Sequence, residues 1–268
     1  MNERPIGVFD SGLGGLTVLQ ALADLLPHEH LVYLGDTARY PYGPRDADEL
    51  IAFSRQIVDY FVTQGVKLVV VACNSATAAA LDLLRAEYDV PVIGVVEPGV
   101  RAAVKATRSG HVGVVGTAMT ESSKIYELTA ERLRAPLTLA VRACPQWVTL
   151  VEEGEVTGPR AEAIVAQGLR ALDGEDIDTL ILGCTHFPLL SRTISEVVGR
   201  GVTLVSSADE IAFEVLSILQ RTGWMRQPGQ LAANRTFVTT GDPDRFAELG
   251  ARFLGEPLSD VRAHAWEA

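Results

Sequence analysis

Short apolar segments recur along the chain, and glycine-rich turns follow several of them. They are rich in Val, Ile and Leu, as expected for parallel strands that are covered on both faces. The segments predicted as strands are Ile6–Phe9, Leu31–Leu34, Leu68–Ala72, Val92–Val95, Val112–Val115, Leu137–Val141, Leu180–Leu182, Val202–Val205 and Thr236–Thr240. This series predicts an α/β protein that is built on parallel sheets.

Segments with helical character lie between many of these strands. The predicted helices are Leu50–Gln64, Ala76–Glu87, Glu121–Arg134, Pro159–Leu172, Ala208–Arg221 and Pro243–Leu254. Strands that alternate with helices indicate βαβ units with right-handed crossovers. A connection rich in Gly, Pro and Gln is predicted at Gly223–Gln230, before the last strand.

Two parts of the sequence resemble each other. Gly7–Gly12 is similar to Gly113–Ala118, and Val69–Ser75 is similar to Leu180–His186. We therefore expect two related α/β halves that meet near Glu97–Gly99, with the tail returning to the first half. The predicted domains are residues 1–97 plus 208–268, and residues 98–207.

The composition argues against several classes of protein. A chain of 268 residues that is 47% hydrophobic and 21% charged is long enough for two globular domains. Its formal net charge of −11 argues against nucleic acid as the main partner, because phosphate binding needs a basic face. The first residues do not have the pattern of a secretory signal, and no apolar run is long enough to span a membrane. Three cysteines do not suggest a disulfide framework, so we expect a cytoplasmic protein with free thiols.

Two of the three cysteines, Cys73 and Cys184, occupy matching positions in the repeat. Each follows a predicted strand, at the edge of the sheet where α/β proteins bind ligands, and each precedes a segment expected to be helical. A helix N-terminus favours a thiolate over a thiol. Two thiols that face one carbon could remove a proton from one side and return one to the other. A single free cysteine is usually a buried core residue, but the matched placement favours chemistry. Cys144 has no counterpart in the repeat and is interpreted as structural.

Polar residues beside these cysteines are candidates for binding or proton transfer. Asp10 ends a strand before a glycine-rich turn that starts at Ser11, where a backbone could approach an anion closely. His186 stands two residues after Cys184 and could relay its proton. The competing interpretation of these polar residues is helix capping. The same two interpretations apply to Asn74, Ser75 and Thr185.

A loop rich in Pro and Gly contains Tyr42 and Gly43, which could line a site or form an ordinary turn. Three other kinds of site are disfavoured. No lysine stands where a pyridoxal Schiff base would need it. The turn after Asp10 departs from the dinucleotide fingerprint, although Asp36 could imitate its ribose-binding acid. Cys73, Cys184 and His186 do not show the close spacing of zinc ligands.

On these residues the chain resembles the glutamate racemases of the aspartate/glutamate racemase superfamily. The motifs that carry the resemblance are Gly7–Leu16, Gly35–Gly43, Ala72–Ala78, Val151–Gly154, Gly183–Leu189 and Thr240–Asp242. The resemblance covers nearly the whole chain. It implies two pseudo-symmetric flavodoxin-like domains, with parallel sheets and an active site in the cleft between them, in a cytoplasmic homodimer. It also implies interconversion of L- and D-glutamate without a cofactor or metal, which supplies D-glutamate for bacterial peptidoglycan.

The resemblance assigns a role to each matched residue. Cys73 would be the base for D-glutamate and Cys184 the base for L-glutamate, with Asp10 and His186 assisting the thiols. The residues implied to contact substrate are Asp10, Ser11, Tyr42, Gly43, Asn74, Ser75, Thr185, His186 and Glu152. Ser75 replaces the usual Thr and keeps its hydroxyl, whereas Phe187 replaces the usual Tyr and loses one. Two alternatives stay open, namely a related enzyme for another substrate such as aspartate, and a two-lobed binding protein without turnover.

Overall fold

A computed structural model of the chain describes residues 3–227 and 233–266. Within these ranges the chain forms ten strands and eleven α-helices. The strands are β1 (Ile6–Asp10), β2 (Leu31–Gly35), β3 (Leu68–Val71), β4 (Val92–Gly94), β5 (His111–Gly116), β6 (Thr138–Ala143), β7 (Thr179–Gly183), β8 (Thr203–Ser206), β9 (Arg235–Thr239) and β10 (Val261–Ala263). The helices are α1 (Leu16–Leu25), α2 (Ala47–Thr63), α3 (Asn74–Glu87), α4 (Val96–Ala106), α5 (Ala118–Ser122), α6 (Ile125–Arg132), α7 (Pro145–Glu152), α8 (Pro159–Leu169), α9 (Ser191–Val198), α10 (Ser207–Thr222) and α11 (Pro243–Leu254).

The nine predicted strands are all present, with ends that shift by no more than two residues. The short strand β10 was not predicted. Helix α4 contains Pro98 and Gly99, so the expected boundary between the halves falls inside its first turn. Residues 228–230 of the predicted Gly-, Pro- and Gln-rich connection lie outside the described residues.

The prediction of one helix over Glu121–Arg134 was wrong. The chain forms α5 and α6 instead, separated by Ser123 and Lys124. The backbone of Lys124 has φ +53°, in the left-handed region, which a continuous right-handed helix does not contain. A single residue of this conformation therefore ends one helix and sets the direction of the next.

The chain divides into two compact units, Met1–Val95 with Ala208–Ala268, and Val96–Ser207. The domain boundaries expected from the sequence, residues 1–97 plus 208–268 and residues 98–207, stay a prediction. The first unit contains a six-stranded sheet in the order β10-β9-β2-β1-β3-β4, and all its strand pairs are parallel. Apolar side chains of α1 and α10 pack in one core with those of β1 and β3, among them Leu16, Leu19, Ile211 and Val215.

The second unit contains a four-stranded sheet in the order β6-β5-β7-β8, again with every pair parallel. Its order repeats the order β2-β1-β3-β4 of the first sheet, so β5 corresponds to β1 and β7 to β3. Both match the start of the flavodoxin-like order 2-1-3-4-5. The α/β prediction with two related parallel sheets is therefore confirmed. Because Cys73 follows β3 and Cys184 follows β7, the two cysteines occupy equivalent positions in their own sheets.

Candidate active site

The carboxyl edge of the first sheet brings together side chains from neighbouring strands. In the central three strands, Asp10 of β1 pairs with Gly35 of β2, and Phe9 pairs with Val71 of β3. Asp36 follows β2 directly, and Cys73 stands two residues after β3. Asp10, Asp36 and Cys73 therefore lie along one edge, where α/β sheets bind ligands.

Asp10 is fully buried, and its Oδ2 accepts a hydrogen bond from the Gly12 N–H at 3.1 Å. The turn after Asp10 passes very close to it. A Cβ on Gly15 would lie 2.5 Å from the Asp10 Cβ and 2.9 Å from the Tyr33 hydroxyl. Gly15 is thus required for packing around the Asp10 carboxylate, and the approach of this turn to an anion stays a prediction. Ser11 is buried in the same turn.

Cys73 begins helix α3 as its N-cap residue, and its carbonyl accepts a hydrogen bond from the Thr77 N–H at 2.8 Å. The residue is 5% exposed. Asn74 and Ser75 form the first turn and are also buried. The N–H groups of a first turn carry partial positive charge, which favours a thiolate and binds carboxylates. The expected helix start at Cys73 is therefore present.

Tyr42 lies buried in the loop after β2, and its hydroxyl donates a hydrogen bond to the Asp36 carboxylate. Burial raises the pKa of Tyr42 well above its usual range, and the negative charge of Asp36 raises it further. A negative charge on Cys73 acts in the same direction, as the smallest of these contributions. Tyr42 therefore remains a neutral phenol whose proton is directed at Asp36. Gly43 follows it and is partly buried.

Cys184 follows β7 in the second unit and is 6% exposed. The segment after it differs from the one after Cys73. A 3₁₀ turn over Phe187–Leu190 comes first, and helix α9 begins only at Ser191. The expectation that a helix directly follows both cysteines is thus correct for Cys73 and wrong for Cys184. Pro188 has no N–H to donate and lies in the first turn of this 3₁₀ segment.

His186 links Cys184 to a carboxylate. Its Nδ1 lies 3.8 Å from the Cys184 Sγ, and its Nε2 lies 2.7 Å from Oε1 of Glu152. A carboxylate can only accept a hydrogen bond, so it holds the ring proton on Nε2. Nδ1 of the neutral ring then presents a lone pair to the thiol. The hydrogen-bonded series of Cys184, His186 and Glu152 can therefore take a proton from the sulfur and return it.

The packing of Trp147 against Phe187 helps to position Glu152 for its contact with His186. Glu152 is the last residue of α7, and its side chain is 28% exposed. The ring of Trp147 on the same helix lies 5.0 Å from the ring of Phe187 in the turn after Cys184. Both rings are buried. Phe187, which stands where the family usually has Tyr, therefore serves in packing. Thr185, between the cysteine and the histidine, is also buried.

Cys144 is the N-cap of α7 and is buried. Burial raises the pKa of its thiol to about 12, and the charge of Glu121 raises it further. A thiol of this pKa stays protonated near neutral pH and is not a base there. A Cβ on Gly168 would come within 3.0 Å of its sulfur, which describes a close-packed side chain.

Sequence reasoning missed the part that Asp36 plays. Its fully buried carboxylate accepts hydrogen bonds from four side chains of its own unit: Arg39, Tyr42, Thr240 and Trp266. A carboxylate that is filled in this way is not directed at a ribose, which removes the nucleotide alternative. The motifs Gly35–Gly43 and Thr240–Asp242 contain Asp36, Tyr42 and Thr240, but the sequence does not indicate that these side chains form hydrogen bonds with one another.

Among residues 3–227 and 233–266, no group of three His, Cys, Asp or Glu side chains has the arrangement needed to hold a metal ion. No helix in these ranges combines the length and apolar character that crossing a membrane requires.

The predicted site residues thus lie in two groups. Glu152, Cys184, Thr185 and His186 belong to the second unit, and the first unit holds the others, namely Asp10, Ser11, Tyr42, Gly43, Cys73, Asn74 and Ser75. Within the second unit the structure joins three of the predicted residues in one hydrogen-bonded series. Within the first unit it places them at the ends of adjacent strands.

The chain is similar in sequence and structure to known racemases. The model of the Asp/Glu/Hydantoin racemase family matches residues 6–214. A glutamate racemase of Parafrankia sp. is 49% identical over 261 residues, which cover 97% of this chain and 94% of that protein. A glutamate racemase isoform from Bacillus anthracis superimposes with a TM-score of 0.93 at 41% identity, covering 98% of each chain. A glutamate racemase from Francisella tularensis, solved in complex with D-glutamate, gives a TM-score of 0.92 at 30% identity and covers 99% of this chain and 98% of that one.

These matches confirm the resemblance found in the sequence. The chain therefore belongs to the Asp/Glu/Hydantoin racemase family and is an enzyme of the isomerase class.

Proposed function

We propose that this enzyme interconverts L- and D-glutamate without a cofactor and that Cys73 and Cys184 are its two bases. The substrate follows from the glutamate racemases to which the chain is similar over nearly its whole length. The observation that carries the mechanism is the series Cys184–His186–Glu152, because it provides a thiol with a proton acceptor that is itself oriented.

The reaction is a pair of proton transfers at Cα. In the direction from L to D, the Cys184 thiolate removes the Cα proton, and the electron pair of the C–H bond moves onto the substrate. The Cys73 thiol then gives its proton to the opposite face. In the other direction the two cysteines exchange roles. No atom is oxidised or reduced, and each cycle leaves one sulfur protonated and the other ionised.

Each thiolate has its own means of stabilisation. For Cys184, His186 takes the thiol proton on Nδ1, and Glu152 stabilises the imidazolium that results. For Cys73, the start of α3 supplies partial positive charge, and we assign Asp10 as the assisting carboxylate. Both thiolates are thus stabilised, but by different groups.

The weak acidity of Cα–H beside a carboxylate is the main difficulty of the reaction. Donors that are fixed in buried positions stabilise the charge that develops as the proton leaves. We assign substrate contacts to the polar groups at both strand ends, which are Asp10, Ser11, Tyr42, Gly43, Asn74, Ser75, Glu152, Thr185 and His186. The first turn of α3 offers backbone N–H groups for a substrate carboxylate.

In the cell, the resemblance supports a cytoplasmic homodimer that supplies D-glutamate for peptidoglycan. It also supports two domains, residues 1–97 plus 208–268 and residues 98–207. The proposed activity does not depend on any of these assignments.

The test is to incubate the purified protein with L-glutamate in D₂O, with no cofactor added. We expect the circular dichroism signal to decay to zero and the product to carry deuterium at Cα. Parallel incubations with L-aspartate check the alternative substrate. Binding of glutamate without isotope exchange would support the two-lobed binding protein instead.

Three matched alanine variants test the mechanism. Cys73→Ala and Cys184→Ala should each lower the rate of racemisation by about 10²–10⁴-fold or more, the range that general acid–base groups supply. Cys144→Ala should keep the wild-type rate per folded molecule, because its thiol is protonated at neutral pH. Rapid racemisation by the Cys73 or Cys184 variant would reject the two-thiol mechanism.

A further inference from the structure

The last described residues of the chain reach the same sheet edge as the proposed site. Strand β10 adds to the first sheet in parallel to β9, with Val261 paired to Phe237 and Ala263 to Thr239. The His264 N–H continues this pairing by donating to the Thr239 carbonyl at 2.8 Å. The chain therefore arrives beside the carboxyl ends of β9 and β2 in a fixed register.

Trp266 makes two specific contacts there. Its Nε1–H donates a hydrogen bond to Oδ1 of Asp36 at 3.0 Å. The Arg39 guanidinium lies 4.5 Å from the centre of the Trp266 ring and 4.1 Å from the centre of the Phe53 ring. Arg39 is thus placed against two aromatic rings, a geometry that favours its planar cation.

The same tail also packs against helix α2. The ring of His264 lies 4.6 Å from the ring of Trp266 in an edge arrangement, and 4.6 Å from the ring of Tyr60. Phe53 of α2 in turn lies 5.7 Å from the ring of Tyr42. A continuous series of ring–ring and cation–ring contacts therefore runs from the tail to the Tyr42 loop, and Trp266 stands in its middle.

Asp36 is the polar counterpart of this series. Its Oδ1 accepts from Trp266 and from the Thr240 hydroxyl at 2.8 Å, and its Oδ2 accepts from the Arg39 Nε at 2.6 Å and from the Tyr42 hydroxyl. A fully buried carboxylate depends on such donors, because burial without them is unfavourable. The loss of one donor therefore changes the position that the carboxylate and its remaining partners prefer.

We propose that Trp266 is a positioning residue of the active site, which holds Asp36 and Arg39 in place and thereby fixes Tyr42 and Gly43 where they meet the substrate. This inference rests on the proposed function, since it needs Tyr42 and Gly43 to contact glutamate. It adds a part for the C-terminal segment, 230 positions away from Asp36 in sequence. Trp266 itself acts only through its neighbours and has no assigned contact with the reacting atoms.

The test compares Trp266→Phe with Trp224→Phe. The first variant removes the indole N–H and keeps an aromatic ring against Arg39. The second makes the same change at a tryptophan that packs against the core of the first unit and makes none of the Asp36 contacts described above. We expect Trp266→Phe to raise KM for both enantiomers about tenfold, the scale of one hydrogen bond to a charged group. The kcat of this variant should change by less than about twofold, and Trp224→Phe should leave both constants unchanged.

A double-mutant cycle distinguishes positioning from a general loss of stability. If Trp266 acts through the Asp36–Tyr42 bond, the change Trp266→Phe should have little further effect on KM in a Tyr42→Phe background. A full tenfold increase in that background would overturn the proposal. An unchanged KM in the single variant would overturn it as well.

Two further measurements keep the outcome clear. A chain that ends at Ala265 retains β10 and His264 but loses both the indole N–H and the ring against Arg39, so its KM should rise at least as much as that of Trp266→Phe. Thermal unfolding of each variant shows that the molecules assayed are folded. If the wild-type protein does not racemise glutamate at all, the proposed function fails; if it does and KM does not move in the variants, only the part assigned to Trp266 fails.

Discussion

Nε2 of His186 lies 2.7 Å from Oε1 of Glu152, and this contact determines which ring nitrogen carries the proton. With the proton on Nε2, the lone pair on Nδ1 is directed toward Cys184, whose sulfur is 3.8 Å away. Glu152 thus acts on the thiol through the ring. Its side chain is 28% exposed, whereas His186 and Cys184 are both buried.

Glu152→Gln tests this contact. The amide is neutral and cannot stabilise an imidazolium, and its N–H₂ group can force the opposite tautomer. We expect kcat/KM to fall about 10²-fold, the lower end of what a proton-transfer group supplies. The fall should be equal for L- and D-glutamate, because enantiomers have equal free energies and the enzyme cannot change their equilibrium. Initial rates in both directions, followed by circular dichroism, measure it.

Glu153→Gln is the matched control for this experiment. Glu153 is the adjacent residue, and its carboxylate pairs with Arg160 at 2.7 Å on the surface. An exposed pair of this kind contributes little to stability. We expect wild-type kinetics from Glu153→Gln. A Glu152→Gln enzyme that is as active as this control would remove Glu152 from the mechanism.

The turn over Asp10 leads to a second prediction, for Gly15→Ala. The new Cβ would lie 2.5 Å from the Asp10 Cβ and 3.1 Å from the Ala72 Cβ, so the turn must move. We expect a loss of about 1–3 kcal/mol in the free energy of unfolding, as for other overpacked sites. Racemisation should fall as well, because Asp10 is displaced. Gly201→Ala is the control, since a Cβ there meets nothing within 4 Å. Equal urea unfolding curves for the two variants would contradict the prediction.

The sheets could be predicted from the sequence because their strands are covered on both faces. A strand such as Leu68–Val71 then appears as an unbroken apolar run, and its carboxyl end marks the position of Cys73. The short strand β10 has the sequence Val261–Ala263, with two of its three residues exposed, and it carries no such signal. Its pairing depends on the neighbouring strand β9 and not on its own composition.

Contacts between distant residues were beyond the reach of local patterns. His186 was a candidate because it stands beside Cys184, but its contact with Glu152 spans 34 positions, and Glu152 was found only by resemblance. The bond from Trp266 to Asp36 spans 230 positions and had no signal at all. The break between α5 and α6 was missed for a different reason. Lysine has a high intrinsic helix propensity, so the sequence does not indicate that the backbone of Lys124 is left-handed. The surrounding fold sets that conformation.

A buried ion pair in the first unit leads to a third prediction. The Lys67 Nζ donates to Oε2 of Glu29 at 2.5 Å and to the Trp224 carbonyl at 2.8 Å, and both side chains are almost fully buried. The other carboxylate oxygen of Glu29 accepts from the Arg226 N–H at 2.8 Å. The pair thus connects the segment after α10 to the start of β3.

Lys67→Met leaves the Glu29 carboxylate buried without its cation. We expect a loss of about 3–5 kcal/mol in the free energy of unfolding, measured with urea. The double variant Lys67→Met with Glu29→Gln removes both charges and keeps an acceptor for the Arg226 N–H. It should be more stable than the single variant, since no unpaired charge remains buried. Equal losses in the two proteins would indicate that packing, and not charge, accounts for the effect.

The thiol of Cys144 leads to a prediction about alkaline pH. Burial raises its pKa from about 9 to about 12, so the folded protein keeps a proton that the unfolded chain releases. The folded state therefore binds more protons between these two pH values, and its stability falls as the pH rises through that window. The contribution of this thiol is fully present below about pH 9 and is lost by about pH 12.

Cys144→Ala removes this titration and leaves Cys73 and Cys184 in place. We expect the free energy of unfolding of the wild type to fall more steeply than that of the variant above about pH 9, by at most about 1.4 kcal/mol per pH unit. The comparison uses slopes, because the variant also loses packing at every pH and other groups titrate equally in both proteins. Urea unfolding at pH 8, 9, 10 and 11 supplies the two curves. Curves that stay parallel over this range would contradict the prediction. They would mean that the Cys144 thiol ionises as readily in the folded protein as in the unfolded chain, so that its burial does not raise its pKa.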